Sequence, residues 1–99
     1  MKVWRRENGN LNYWCPACQR YHWVSCSHWI MLGSPDDPTV VPAFTFEGKA
    51  RASVCHHMIS HGRLYYFEDS SHELRGKWVD MQELPASPVA QLSFDFIEQ

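Results

Sequence analysis

The 99 residues carry nine Lys and Arg against eleven Asp and Glu, a formal net charge of −2. That balance excludes both a general basic field for nucleic acid and the strong acidity of a DNA mimic. A chain this short allows one domain with a limited core, the kind that a metal or disulfides often staple, and its five Trp, five Phe and four Tyr favour strands over helices.

Val3–Arg6 and Leu11–Trp14 flank Glu7-Asn8-Gly9-Asn10. Asn-Gly between two short apolar-containing runs predicts a hairpin, because both residues tolerate positive φ. Lys2, Arg5 and Arg6 read as a solvated strand face. Cys15-Pro16-Ala17-Cys18 follows, and Tyr21–Val24 and His28–Leu32 read as further strands. Ser34-Pro35-Asp36-Asp37-Pro38 is expected to be a loop. Thr39–Phe46 is β-rich but interrupted by Pro42, which predicts an edge strand or a bulge. Ala52–Ser60 and Arg63–Phe67 flank His61-Gly62, a second hairpin. Asp69–Leu74 predicts one helical turn with a Ser N-cap, stopped by Gly76, and Lys77–Met81 a last core strand. Leu84-Pro85-Ala86-Ser87-Pro88 resembles a linker. The expected fold is therefore mostly β: a small zinc-ribbon-like antiparallel sheet domain over 1–84 with short hairpins and at most one short helix, then a linker and tail over 85–99 that could end in a terminal strand.

No apolar stretch approaches the ~20 residues that span a bilayer. Met1-Lys2-Val3-Trp4-Arg5-Arg6 runs into polar sequence rather than a leader. A cytoplasmic protein is expected, in the host cell if it is phage-borne, where paired cysteines point to metal or redox chemistry rather than disulfides. Cys15 and Cys18 have the spacing of a zinc knuckle, two thiolates on a tight turn that share one tetrahedral ion. A full ribbon would carry a second Cys-x-x-Cys; here the further donors are Cys55, His56, His57, His61 and His72, with His22 four residues after Cys18. Neighbours on a strand face opposite ways, so Cys55 and His56 are not expected to bind one ion. The ranked zinc set is Cys15, Cys18, Cys55 and His72, with His56 and His22 as substitutes and Asp69 as an acceptor behind a ligating imidazole. Cys26 and His28 read as an apolar thiol and a surface residue, His57 and His61 as strand-face and turn residues. Trp14-Cys-Pro-Ala-Cys also resembles a thioredoxin-type redox sequence, but such a site needs a long helix after the motif, and Gln19–Leu32 has little helical period.

Taken together, Trp14-Cys-Pro-Ala-Cys18 with His22, then Pro38-Thr39 and Pro42, Cys55-His56, Gly62, Phe67, and Asp69-Ser70-Ser71-His72-Glu73-Leu74 with Gly76 resemble a small family of uncharacterised proteins found largely in phages and prophages. Some members carry the label ammonia monooxygenase. The resemblance spans roughly residues 12–84. It departs at Gln19, where Gly is common, at Ala43, where Ser is common, and at His57-Met58, which replace Ser-Phe. It implies a metal site at the positions already named and no established activity, and the chain shows no copper or iron triad.

Two functions follow as expectations. The first is a zinc-stabilised phage or prophage accessory module that binds a host or phage protein, with direct nucleic-acid binding left open. The second is a zinc-dependent hydrolase or nuclease in which a water completes an open metal site and His56, Asp69 or Glu73 acts as base. In the tail, Gln91, Leu92, Phe94 and Phe96 resemble the short peptide by which bacterial DNA polymerases dock on the sliding clamp, so the clamp is an expected partner. The same alternation also suits a half-buried terminal strand.

Overall fold

The computed structural model describes residues 1–47 and 53–85. Its elements are all extended except for one 3-10 turn, Cys26–His28, and they form two antiparallel sheets. Strands β1 (Trp4–Arg5), β2 (Leu11–Cys15) and β3 (Arg20–Val24) make a three-stranded meander. Strands β4 (Ile30–Ser34), β5 (Asp37–Glu47), β6 (Val54–Ser60), β7 (Arg63–Tyr66) and β8 (Trp78–Asp80) follow one another across a five-stranded sheet.

Both predicted hairpins form. Gly9 turns β1 into β2 at φ 89°, and Gly62 turns β6 into β7 at φ 74°. Three elements depart from expectation, and a fourth, β5, takes one of its two expected forms. The loop proposed over 34–38 is tighter, because Ser34 pairs with Asp37 and Gly33 with Pro38, leaving Pro35 and Asp36 as the turn. Of the two forms expected of Pro42, the structure shows the irregularity and not the edge: β5 lies between β4 and β6, and its pairing with β6 shifts register between Val40 and Phe44. A missing N–H at a register shift costs no ladder bond. The helical turn expected from Asp69 is a run of non-helical turns, and β8 is an edge strand rather than a core one.

One core joins the sheets. Val3, Leu11, Tyr13, Cys15 and Val24 from the first meet Val40, Phe44, Cys55, Ile59, Leu64, Tyr66 and Met81 from the second. Alternation sorts the side chains: along β6, Cys55, His57 and Ile59 point inward and His56 and Met58 outward. The far face of the three-stranded sheet buries Trp4 and Tyr21 under Leu84, with Trp14 packed against them. The outer face of the larger sheet keeps Ile30, Leu32, Val41 and Trp78 exposed.

Candidate metal centre

The knuckle is the loop of the β2–β3 hairpin. Cys15 ends β2 and pairs with Arg20, the first residue of β3, so Pro16, Ala17, Cys18 and Gln19 form the turn. The Gln19 N–H donates to the Cys15 carbonyl at 2.8 Å, and the Cys18 N–H points at Cys15 Sγ, 3.4 Å away. Gln19 takes φ 53°, a left-handed conformation that glycine adopts without a Cβ penalty. Further along the same hairpin, Tyr13 pairs with His22. Cross-strand partners share a face, so His22 lands on the inward side with Tyr13 and Cys15.

Cys55 comes from the other sheet. The half of β6 that carries it pairs with β5 on one side but runs past the end of β7 on the other. There the Asp69-Ser70-Ser71-His72 segment stands in for a strand. Ser70 Oγ accepts from the His56 N–H and donates to the His56 carbonyl, both at 3.0 Å. Ser71 Oγ accepts from the Val54 N–H at 2.8 Å and donates to the Val54 carbonyl at 3.2 Å. The two hydroxyls bracket Cys55 and take up the Val54 and His56 N–H groups, while the two carbonyls also accept from the Ser71 and Phe67 N–H groups.

These placements bring one donor atom each from Cys15, Cys18, His22 and Cys55 within 4.8 Å of one another. Cys15 Sγ and Cys55 Sγ are 3.8 Å apart, and all three thiols are free. His22 Nε2 is buried with no hydrogen-bond partner, which a buried ring nitrogen tolerates when an ion takes its lone pair. Three sulfurs and an imidazole are the donor chemistry of a tetrahedral site, so this Cys3His group could hold a metal ion.

The thiols respond strongly to one another. Hydrogen bonds from Cys18 and then Cys55 hold the Cys15 thiol far below its usual range. The Cys15 anion in turn pushes Cys18 up to about 11 and Cys55 higher still. A cation bound to all three sulfurs would have to displace the protons that this mutual repulsion favours.

Of the expected residues, Cys15, Cys18 and Cys55 meet, and the histidine that joins them is His22, first weighed only as a substitute. His72 stays outside the group. Its ring packs edge-on against Tyr66, centroids 4.6 Å apart, with both ring nitrogens buried and unpartnered. It lines a cavity of about 310 Å³ together with Cys18, His22, Cys55, Phe46 and Arg20. His56 points to the opposite face, stacked on Phe67, and its Nδ1 lies 2.8 Å from Asp69 Oδ1. Asp69 thus supports the outward imidazole rather than a ligating one, because strand alternation turns His56 away from the thiols.

Two residues support the centre in ways the sequence reading did not name: His57, read as a strand-face residue rather than a ligand, and Tyr66, which was not weighed. His57 is fully buried, its Nδ1 3.4 Å from Cys55 Sγ and its Nε2 2.8 Å from Tyr13 Oη. Burial, and then the neighbouring His22, push its imidazole down to about 4. Tyr66 Oη lies 3.1 Å from Cys15 Sγ. Spacing alone flags His57, two residues after Cys55 and so on its face; Tyr66 becomes visible only once His57 is paired with it across the hairpin. The residues proposed for clamp docking, Gln91, Leu92, Phe94 and Phe96, lie outside the described residues. Among the described residues no helix is long and apolar enough to cross a membrane. No family model, curated protein or solved structure matches the chain.

Proposed function

We propose that the protein is a zinc-stabilised binding module in which Cys15, Cys18, His22 and Cys55 hold one Zn2+ as a structural staple between the two sheets. The observation that carries this reading is the convergence of four donor atoms within 4.8 Å from both sheets. Two sulfurs bound to one zinc at about 2.3 Å in tetrahedral geometry stand about 3.8 Å apart, in agreement with the 3.8 Å between Cys15 and Cys55. Four protein donors close the shell, as in structural rather than catalytic sites. A role as a phage or prophage accessory protein rests on the motif resemblance. A protein partner is supported by the exposed Ile30, Leu32, Val41 and Trp78, and the sliding clamp by the Gln91–Phe96 pattern alone.

Elemental analysis of protein purified under reducing conditions should find about one zinc per chain. His22→Ala should weaken binding by more than the ~100-fold typical of losing a supporting residue, while His72→Ala should leave the stoichiometry intact. Metal-free protein that is fully folded would overturn the proposal.

A second reading, a hydrolase or nuclease with an open metal position, is favoured by the cavity that Cys18, His22, Cys55 and His72 line. Added azide or cyanide should then perturb the spectrum of cobalt-substituted protein. A closed four-ligand site predicts no change.

A further inference from the structure

We propose that Tyr66 and His57, the latter fixed by Tyr13, are positioning residues of the metal centre: they donate the hydrogen bonds that hold the thiolates of Cys15 and Cys55 in their metal-binding form. This inference rests on the metal-binding reading above.

When a thiol binds a divalent ion its proton leaves to solvent, and the sulfur keeps only lone pairs. Three thiolates and a neutral imidazole around a divalent ion leave a net charge of about −1. Cys15 is 0% exposed and Cys55 3%, so water has little access to either residue, and a buried negative charge is costly unless donors face it. Cys18 differs. It is half-buried and feels the positive charge of Arg20. The side-chain donors should therefore converge on the two deep sulfurs, as they do.

Each contact can run in only one direction once those sulfurs are anions. Tyr66 Oη, 3.1 Å from Cys15 Sγ, must donate its hydrogen to that sulfur. The Cys18 N–H at 3.4 Å is a second donor to the same atom. His57 Nδ1, 3.4 Å from Cys55 Sγ, must likewise carry the ring hydrogen. In a neutral imidazole that leaves Nε2 as the acceptor. Tyr13 Oη, 2.8 Å from Nε2, supplies the hydrogen it needs. The result is a directed chain, Tyr13 O–H to His57 Nε2 and His57 Nδ1–H to Cys55 Sγ, in which Tyr13 selects the tautomer while its hydroxyl bonds to no sulfur. Tyr13, His57 and Tyr66 are all 0% exposed, so no water competes for these hydrogens.

The rival account is that the three rings merely fill the core. Isosteric variants separate the two, because phenylalanine keeps the ring and loses only the hydroxyl. Zn2+ affinity should be measured by chelator competition at fixed pH on folded, metal-loaded wild type, Tyr66→Phe and Tyr13→Phe. The sulfur-to-metal charge-transfer band of the Co2+ forms should be recorded in parallel. Each variant is expected to bind Zn2+ roughly ten- to a hundredfold more weakly. The band should move to lower energy, because a thiolate stripped of a donor gives up its electrons more readily. His57→Asn, whose amide nitrogen can stand where Nδ1 stands, should retain more affinity than His57→Leu. If wild type shows no charge-transfer band at all, the metal-binding reading itself has failed. If wild type shows it and Tyr66→Phe and Tyr13→Phe leave both band and affinity unchanged, the positioning role alone is overturned. Should either phenylalanine variant not fold with metal present, the other, together with the His57 pair, decides the question by the same readouts.

Discussion

The two sheets contribute to the candidate metal centre in opposite ways. The three-stranded sheet supplies Cys15, Cys18 and His22 from one hairpin, three donors within eight residues. The five-stranded sheet supplies a single sulfur, Cys55, together with His57 and Tyr66, which contact the sulfurs from behind. A short hairpin can preorganise ligands because its turn and register are local. What it cannot do is surround them, and the larger sheet does that by burying the sulfurs against a cross-strand pair, His57 and Tyr66. Ligation is thus concentrated on one side of the core and its support on the other.

The strongest way to break this division is to remove the metal or its first ligand. Structural zinc sites contribute on the order of 10 kcal/mol, comparable to the whole stability of a small domain. Chelation, or Cys15→Ser, should therefore abolish cooperative thermal unfolding, and Zn2+ added back after chelation should restore it. An unchanged transition would mean that the apolar core alone joins the sheets. A second test strikes the supporting sheet away from the ligands. Leu64 is fully buried in the shared core, and Leu64→Ala should cost about 2–5 kcal/mol in denaturant unfolding of the loaded protein. Zinc stoichiometry should stay at one, since no donor is disturbed. The smallest effect is expected on the outer face. Asp69 is largely exposed and holds a half-buried His56, so Asp69→Asn should change stability by less than about 1 kcal/mol and leave metal affinity alone. A large loss of metal there would show that the Asp69–Ser71 segment positions Cys55 through its carboxylate as well as its serine hydroxyls.

How much of this was legible in the sequence follows from the same division. The Asn8-Gly9 and His61-Gly62 turns and the Cys15–Cys18 knuckle depend on neighbours in the chain, and both hairpins stand as expected. Alternation correctly separated Cys55 from His56. What could not be read was anything set by pairing between distant segments. The sequence ranks His72 above His22 as a donor, and only the Tyr13–His22 register, which places His22 inward, reverses that order. Pro42 left an edge and a bulge equally open because the register shift that shelters it depends on β6. Asp69-Ser70-Ser71 looked like a helix cap because serine caps helices and also substitutes for strands, and only the bare flank of Val54–His56 decides between the two uses.

The inward–outward alternation of β6 has a consequence for how the chain reaches its fold. Sliding β6 by one residue would turn Cys55 and His57 to solvent and offer the ion His56 and Met58 instead. A thioether and a repositioned imidazole cannot complete a set begun by two thiolates and His22. The buried face of β6 already opposes such a slip, and a ligand set that only one register can complete would oppose it further. Here the ion would act as a proofreader of strand alignment: only the chain that has paired β5 with β6 correctly can close the centre, and misaligned chains stay open to further search.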